Sequence, residues 1–339
     1  MDPVRSVPPL HALAALLPER KAATARRLVL SGRAPERAAF RGHAALTNAE
    51  AERLAAWERA GLASQVIERA ESSDGSVRLV VRLADGERVE TVAMPSRAVC
   101  VSTQVGCAVA CRFCASGLLG LERNLAAHEI VEQVVHARRA MPIDRVLYMG
   151  MGEPSHNLDA VLAAVEFLKE HGGIGPGRQT FSTIGSCAAL ARMGAARVKP
   201  CLALSLHAAD EKLRAELVPH ASAEPLRDLV AAAARYAGLQ GKPILFEWTL
   251  LAGVNDRDED ADALADLVRG VRGCVNFIRW NPVAGLSFAP SSFERALALR
   301  ERVKSHGILA TIRASTGADV DAACGQLRRR AAAPSGSPA

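Results

Sequence analysis

The sequence predicts an α/β protein whose main domain is a partial or full (β/α) barrel of the TIM type. From about residue 97 onward, short apolar segments alternate with longer amphipathic segments, as parallel strands alternate with the helices that cover them. Six or seven such repeats follow one another, which approaches a complete barrel. Hydrophobic residues make up 49% of the chain but aromatic ones only 4%, so small aliphatic side chains must fill the interior.

Residues 1–62 are predicted to form a small helical domain ahead of the barrel. Prolines at positions 8, 9, 18 and 35 divide this region into short segments, because proline interrupts a helix. Residues 48–57 have an amphipathic pattern, with Thr47 or Asn48 as the expected N-cap. Residues 63–96 then change to alternating segments separated by the turn motifs at 73–75 and 84–86. They predict a small β-meander between the helical domain and the barrel.

The barrel itself is predicted over residues 97–327. The candidate strands are 98–102, 145–149, 179–182, 201–205, 244–250, 275–280 and 308–313. The candidate helices are 127–140, 157–171, 186–194, 225–237, 258–270 and 291–306. The last segment, 328–339, is rich in proline, serine and alanine, and we expect it to be disordered.

Charge and composition limit the classes of function. The formal net charge is +6, which favours polyanionic partners, although a mildly basic soluble protein has the same sum. No apolar run reaches the roughly 20 residues that span a bilayer, and the first residues lack the apolar core of a signal peptide. We therefore expect a cytoplasmic protein. In that compartment a metal or redox role is a better expectation for eight cysteines than structural disulfides.

Three cysteines form a compact motif directly after the first barrel strand. Cys107, Cys111 and Cys114 have the spacing C-x3-C-x2-C. Thiolates are the usual protein ligands of iron–sulfur clusters, and three of them leave one iron of a cubane open for another ligand. A zinc site and buried free thiols are the alternatives, but structural zinc usually takes a fourth ligand, and no second closely spaced cysteine pair exists. The motif favours a cluster, and we interpret Cys187, Cys201 and Cys274 as small core residues.

Polar or glycine-rich residues follow several of the predicted strands. In a parallel barrel the active site lies at the carboxyl ends of the strands, so residues from separate loops converge there. Glycines allow close approach of the backbone, Glu153 can accept a hydrogen bond from an ammonium group, and serine and asparagine can bind a carboxylate or a ribose. The candidates are Gly150, Gly152, Glu153, Ser182, Ser205, His207 and Asn281.

The cysteine motif, with Phe113 before its last member, resembles that of the radical S-adenosylmethionine (SAM) superfamily. A closer resemblance, over about residues 86–327, is to the RlmN/Cfr family of radical SAM methyltransferases, which methylate a ring carbon of adenine in RNA. It is carried by residues 100–107, 123–125, 150–154, 205–207, 280–282 and 321–327. Residues 1–62 lack the aromatic-rich segment of that family, and residues 115–120 differ from its usual sequence.

The resemblance implies a [4Fe–4S] cluster on the three cysteines and SAM as both methyl donor and radical source. It implies that Cys324 is methylated, that Glu90 removes the ring proton, and that Cys100 attacks Cys324 to form a disulfide and release the product. The SAM contacts that it implies are Gly152, Glu153, Ser182, Ser205, Leu206, His207 and Asn281.

The same resemblance implies an RNA substrate and a low-potential electron donor such as flavodoxin or ferredoxin. We expect methylation at carbon 2 of adenine rather than at carbon 8, and 23S rRNA rather than tRNA as the main substrate. Residues 1–62 would help to dock the RNA, and we expect a monomer. Two alternatives stay open: a radical SAM enzyme with another RNA or a non-RNA substrate, and a non-catalytic iron–sulfur or RNA-binding protein.

Overall fold

One ten-stranded sheet dominates the computed structural model, which describes residues 10, 13, 15–41, 45–60, 62–221 and 223–328. Its strands in spatial order are β1 (Gln65–Glu71), β2 (Val77–Arg82), β3 (Arg88–Met94), β4 (Ala98–Cys100), β7 (Arg145–Tyr148), β8 (Gln179–Thr183), β9 (Cys201–Ser205), β10 (Ile244–Leu250), β11 (Gly273–Arg279) and β12 (Leu309–Arg313). Two further strands, β5 (Gln104–Gly106) and β6 (Leu121–Asn124), pair separately. Of the predicted disordered tail, residues 329–339 lie outside the described residues.

Seven neighbouring strands, β4 and β7 to β12, are parallel and follow one another in chain order. They correspond to the seven predicted strands, so the expected α/β barrel architecture is confirmed. In the described part of the chain, β12 and β1 are the two edges of the sheet, which makes the barrel partial and open. The carboxyl ends of all seven strands lie at one rim, where loops can meet around a ligand.

Nine α-helices have described bounds, and most of them alternate with the parallel strands. They are α1 (Glu19–Leu30), α2 (Asn48–Ala60), α3 (Ala127–Ala140), α4 (Leu158–Glu170), α5 (Cys187–Ala195), α6 (Glu211–Leu217), α7 (Leu226–Gln240), α8 (Asp258–Leu267) and α9 (Phe293–Ser305). Helix α6 was not predicted; it begins where the side chain of Asp210 accepts from the N–H of Leu213 over 2.7 Å. No described helix has the length and apolar character needed to cross a bilayer.

Antiparallel strands β1 to β3 lie within residues 63–96 and continue the parallel sheet, because β3 pairs with β4. Their two turns contain Gly75 and Gly86 at φ values of +82° and +90°, which glycine adopts without strain. Ahead of them, Thr47 caps α2: its hydroxyl accepts from the N–H of Glu50, and Glu50 accepts from the N–H of Thr47 over 2.7 Å.

The main core lies between the parallel strands and their helices, and includes Phe181, Phe246 and Phe277. A second, smaller apolar cluster lies at the carboxyl ends of the strands and includes Phe113 and Trp280. The Nε1 of Trp280 donates to the carbonyl oxygen of Phe113 over 2.7 Å. This contact fixes the loop with the three cysteines onto the rim of the barrel.

Candidate active site

The cysteine motif lies on the loop of the β5–β6 hairpin, which sequence reasoning did not predict. The N–H of Cys107 donates to the carbonyl oxygen of Gly120 over 3.0 Å and closes the base of the loop. Gly106 has a φ of +78°, and a Cβ there would stand 2.0 Å from the same oxygen. Only glycine fits this position, so the hairpin and the loop that it presents depend on Gly106.

The three thiols of this loop share one environment. Cys107, Cys111 and Cys114 are partly buried and line the same cavity. Burial raises the pKa of Cys107 to about 12 and also raises the pKa of Cys111 and Cys114. At Cys111 the two neighbouring thiols add to the shift, because they oppose a further negative charge. A bound metal centre would reverse this preference by stabilising the thiolates.

The carboxyl ends of the strands meet at this cavity, as predicted from the sequence. The glycines at 150 and 152 line it together with polar residues from three strand ends. These polar residues are Glu153, Ser182, Ser205 and His207. Two of the predicted contacts do not line it: the side chain of Leu206 is fully buried in the core, and Asn281 lines an adjoining cavity.

Glu153 is buried at the rim and is held by neighbouring groups. Its Oε1 accepts from the N–H of Ser155 over 2.9 Å and from the hydroxyl of Thr183. Its Oε2 accepts from the N–H of Ile184 over 3.0 Å. The carboxylate is thereby oriented before any ligand binds, and it retains lone pairs for another donor.

His207 follows β9 in a left-handed conformation, with a φ of +63°. Its Nδ1 accepts from the N–H of Thr249 over 3.1 Å, and its ring packs edge-on against Phe113 with 4.7 Å between centroids. Burial lowers the pKa of His207 to about 3, and the charge of Arg214 adds to this shift. The ring is therefore neutral at physiological pH and cannot bind a ligand as a cation.

Cys324 lies on the wall between two adjoining cavities. The first cavity contains the three cysteines of the hairpin loop, and the second is lined by Cys100 and Asn281. Cys324, Met149, Ile278 and Arg313 line both. Cys100 is 8% exposed, and burial raises its pKa to about 12, with Cys324 as the next cause. The structure thus brings the two outlying cysteines together beside the cysteine motif.

Residues 317–328, called here the Cys324 loop, are bound to the barrel on one side. The side-chain amide of Asn281 donates to the carbonyl oxygen of Cys324 over 3.1 Å. The hydroxyl of Ser116, next to the cysteine motif, donates to the carbonyl oxygen of Leu327 over 2.6 Å. Asn281 therefore holds the backbone that carries Cys324.

The β-meander binds the other side of the Cys324 loop. Arg78 on β2 donates from Nε to the carbonyl oxygen of Val320 over 2.8 Å. Asp74, in the β1–β2 turn, accepts from the N–H of Gly317 over 2.8 Å. The meander thus helps to position the loop that carries Cys324.

Glu90, the predicted base, is 1% exposed and lies on β3. Its Oε1 accepts from Nη1 of Arg78 and its Oε2 from the N–H of Arg328, each over 2.8 Å. It is not among the residues that line the two cavities. In this conformation Glu90 holds the end of the Cys324 loop and does not face the space beside Cys324.

Three charged residues of the site were missed from the sequence. Arg214 on α6 donates to the carbonyl oxygens of Ile184 and Leu206, over 2.8 and 3.2 Å, and so joins the ends of β8 and β9. Glu247 and Arg313 line the first cavity from β10 and β12. Glu247 and Arg313 could have been found from the sequence, because they lie in predicted barrel strands, and alternate side chains of such strands point inward.

Comparison with known proteins agrees with this arrangement. The family model for the radical SAM superfamily matches residues 101–265. A probable RNA methyltransferase of Methylibium petroleiphilum is 48% identical over 260 residues, which cover 77% of this chain and 74% of that protein. Another, of Chromobacterium violaceum, is 46% identical over 269 residues, which cover 79% and 76%. The chain belongs to the radical SAM family of RNA methyltransferases.

Solved structures agree with the family assignment. A radical SAM methyltransferase from Sphaerobacter thermophilus has a TM-score of 0.84 and 38% identity, and the match covers 94% of this chain and 96% of that one. Streptococcus suis SuiB bound to SAM has a TM-score of 0.50 at 15% identity, covering 66% and 52%, and shares the fold alone. The chain is therefore a SAM-dependent enzyme of the radical SAM type.

A radical SAM methyltransferase uses a [4Fe–4S] cluster and SAM, and the residues present fit both. No three His, Cys, Asp or Glu side chains among the described residues converge as they would around a single ion. A cubane does not require such convergence, because each thiolate binds a different iron. The cavity beside the three thiols also contains the preoriented carboxylate of Glu153, which suits the ammonium group of SAM.

Proposed function

We propose that this radical SAM methyltransferase adds a methyl group to carbon 2 of an adenine in RNA, with 23S rRNA as the main substrate and tRNA as a second. The observation that carries the proposal is the position of Cys324. It lies between the cavity of the three cysteines and the cavity of Cys100. A cysteine there can receive a methyl group on one side and meet a resolving thiol on the other.

The cluster and SAM, when bound, supply the methyl group and a radical. Cys107, Cys111 and Cys114 would hold the cluster. Around SAM, the carboxylate of Glu153 would accept from the ammonium group, and the hydroxyls of Ser182 and Ser205 would donate to polar groups of the ligand. The remaining contacts expected from the resemblance are Gly152, Leu206, His207 and Asn281.

Cys324 would carry the methyl group as a thioether and become joined through it to the adenine ring carbon. Glu90 would accept the ring proton, and Cys100 would then attack the sulfur of Cys324 and release the methylated base. Because Glu90 now binds Arg78 and the N–H of Arg328, its role as base requires the end of the Cys324 loop to move aside.

The proposal includes the partners and the organisation expected from the sequence. The RNA would approach the rim at the carboxyl ends of the strands, with residues 1–62 as an accessory docking domain and 97–327 as the catalytic core. A flavodoxin or ferredoxin would deliver the electron, and the enzyme would act as a monomer. The net charge of +6 favours a polyanionic substrate.

The proposal is tested with the anaerobically reconstituted enzyme, SAM, dithionite and 23S rRNA or tRNA from a strain without the gene. Mass mapping of the RNA should show one new methyl group on an adenine, at carbon 2. Cys324→Ala should still cleave SAM but transfer no methyl group. Cys274→Ala is a matched control, because Cys274 lies on β11 and lines neither cavity. Methylation by Cys324→Ala would exclude the cysteine-bound intermediate.

A second variant tests the release step. Cys100→Ala should leave a covalent link between Cys324 and the RNA, because the resolving thiol is missing. Denaturing electrophoresis of labelled RNA would show a band that protease removes. If Cys100→Ala released methylated RNA at the wild-type rate, Cys100 would have no part in the reaction.

A further inference from the structure

Arg313 lies at the junction of the two cavities. Among the described residues that line either cavity, it is the single arginine or lysine. It lies at the end of β12, where its register partner is Ile278 on β11, and it lines both cavities together with Cys324. A cation in this place can act on groups in either cavity.

The guanidinium of Arg313 has few partners of its own. Among the described residues its hydrogen-bond partner is the sulfur of Met149, which lies 3.5 Å from Nη1, and thioether sulfur is a weak acceptor. No carboxylate of the described residues lies within 4.0 Å of it, although Glu247 is near enough to raise its pKa. Cys324 raises the pKa of Arg313 most and Cys100 also contributes, so both thiols lie within its field.

Cys100 is the group in this region whose anionic form a nearby positive charge would stabilise most. Burial and, after it, the neighbouring Cys324 raise its pKa to about 12, while Arg313 acts in the opposite direction. The strands that pair with β4, which carries Cys100, are β3 and β7. Apart from Arg313, the residues that line the cavity of Cys100 have no charged side chain, among them Val92, Met149 and Ile278. Glu90, two residues before Val92, is paired with Arg78. Arg313 is therefore the one cation that faces this thiol among the residues lining its cavity.

We propose that Arg313 is the electrostatic partner of Cys100 and holds its anionic form beside Cys324 during product release. The inference rests on the proposed function and assigns Arg313 as a positioning residue. The charge of Arg313 increases the fraction of Cys100 that is thiolate at any given pH, and only the thiolate is a nucleophile.

The release step balances in atoms and electrons. The thiolate of Cys100 attacks the sulfur of Cys324, which is joined through a methylene carbon to the adenine. A sulfur–sulfur bond forms, the sulfur–carbon bond breaks, and its electron pair passes to the methylene carbon, which takes up one proton to become the methyl group. The two cysteines are oxidised to a disulfide and the carbon is reduced, so no other oxidant or reductant is needed.

The test follows decay of the protein–RNA adduct in single turnovers of the reconstituted enzyme between pH 7 and pH 10. Arg313→Gln should still form the adduct, but its decay at pH 7 should slow by about tenfold to a hundredfold, as expected for a shift of one to two pKa units. The decay should recover by about tenfold for each pH unit while the thiol stays mostly protonated. Arg313→Lys, which keeps the charge, should restore most of the rate at pH 7.

Either of two results would overturn the inference: wild-type decay in Arg313→Gln, or slow decay that does not respond to pH. If Arg313→Gln does not fold, Arg313→Lys is the test. It keeps the charge, so the decay of its adduct should have a pH profile close to that of the wild type. A large displacement of that profile would overturn the inference. Cys100→Ala separates this inference from the proposed function. If Cys100→Ala forms no adduct, the proposed function fails. If it forms the adduct but the adduct of Arg313→Gln decays at the wild-type rate, only the role of Arg313 is rejected.

Discussion

The N–H of Ala115 donates to the carbonyl oxygen of Gly325 over 2.7 Å. Ala115 directly follows Cys114 in the hairpin loop, and Gly325 directly follows Cys324. One backbone hydrogen bond thus joins the residues next to the two reactive centres of the proposed site. It holds Cys324 at the cavity of the three cysteines, while Ser116 strengthens the same connection through Leu327.

We predict that Ser116→Ala loosens the Cys324 loop without unfolding the barrel. The mutation removes the hydroxyl that donates to Leu327 and leaves a carbonyl without this donor, at a cost of about 1 to 3 kcal/mol. Hydrogen exchange measured by mass spectrometry should then be faster in peptides covering residues 317–328. Peptides from α3 should exchange at the wild-type rate.

Ser305→Ala is a matched control for Ser116→Ala. Its hydroxyl also donates to a backbone carbonyl, that of Arg302, over 2.7 Å, but the contact is exposed to solvent. Water can replace this hydrogen bond, so we expect no change in exchange of the Cys324 loop. Equal exchange in Ser116→Ala and the wild type would show that the other contacts of the loop, among them those of Ala115, Asn281 and Arg78, hold it without Ser116.

A second prediction concerns Gly150, at the end of β7. A Cβ at this position would lie 2.7 Å from backbone atoms of Val101 and Ser102, which cannot move without disturbing β4. Gly150→Ala should therefore lower the free energy of unfolding by about 1 to 3 kcal/mol, as overpacking does elsewhere. Urea denaturation followed by circular dichroism would measure the loss.

The control for Gly150→Ala changes a glycine that has room for a side chain. Gly238 lies inside α7, and an added Cβ there would meet no atom within 4 Å. Because alanine favours the helix, Gly238→Ala should raise the free energy of unfolding by up to about 1 kcal/mol. If both variants lost stability alike, the close contact at Gly150 would not be the cause.

Regular alternation made the barrel predictable from sequence. The predicted helix 127–140 has the bounds of α3, and the strands 201–205 and 244–250 have those of β9 and β10, because long periodic segments carry a strong local signal. Helix α6 and the β5–β6 hairpin were missed. The former has only seven residues, and each strand of the latter contains a single large apolar residue, so neither shows an apolar pattern.

The candidate site was predictable where its residues follow strand ends. Glu153, Ser182 and Ser205 line one cavity because parallel strands end at one rim. The contacts of Glu90 could not be foreseen, since they join residues 78, 90 and 328, which only the folded chain brings together. That Arg313 lines the same cavity as Cys100 could not be foreseen either, because the two are on different strands, more than 200 positions apart.

A third prediction concerns the ligands of the cluster. Cys111→Ala should prevent stable binding of the cluster, since the two remaining thiolates cannot hold three irons of a cubane. After anaerobic reconstitution, the iron content and the visible absorption of thiolate-bound iron should both fall to near background. Cys187→Ala should keep the wild-type iron content, because Cys187 is on α5 outside both cavities. A full complement of iron in Cys111→Ala would place the cluster elsewhere.

A fourth prediction concerns the pH dependence of stability and rests on His136 on α3. His136 is 5% exposed, and its Nε2 lies 3.0 Å from the hydroxyl of Ser64. Burial lowers the pKa of His136 from 6.5 to about 4. Between those values the unfolded chain binds a proton that the folded chain does not, so the free energy of unfolding falls as the pH falls. The loss is on the order of 3 kcal/mol at most.

Urea denaturation of the wild type and of His136→Gln at pH 7 and pH 5 would measure this contribution. We expect the free energy of unfolding to fall by about 2 kcal/mol more in the wild type than in the variant between the two pH values. The reason is that most of this pH range lies between the folded and unfolded pKa values of His136. The carboxyl of Glu132, whose pKa burial raises, changes stability in the opposite direction, but it is present in both proteins. Equal losses in the two proteins would mean that His136 takes up its proton in the folded state near its ordinary pKa, and that its burial does not keep it neutral.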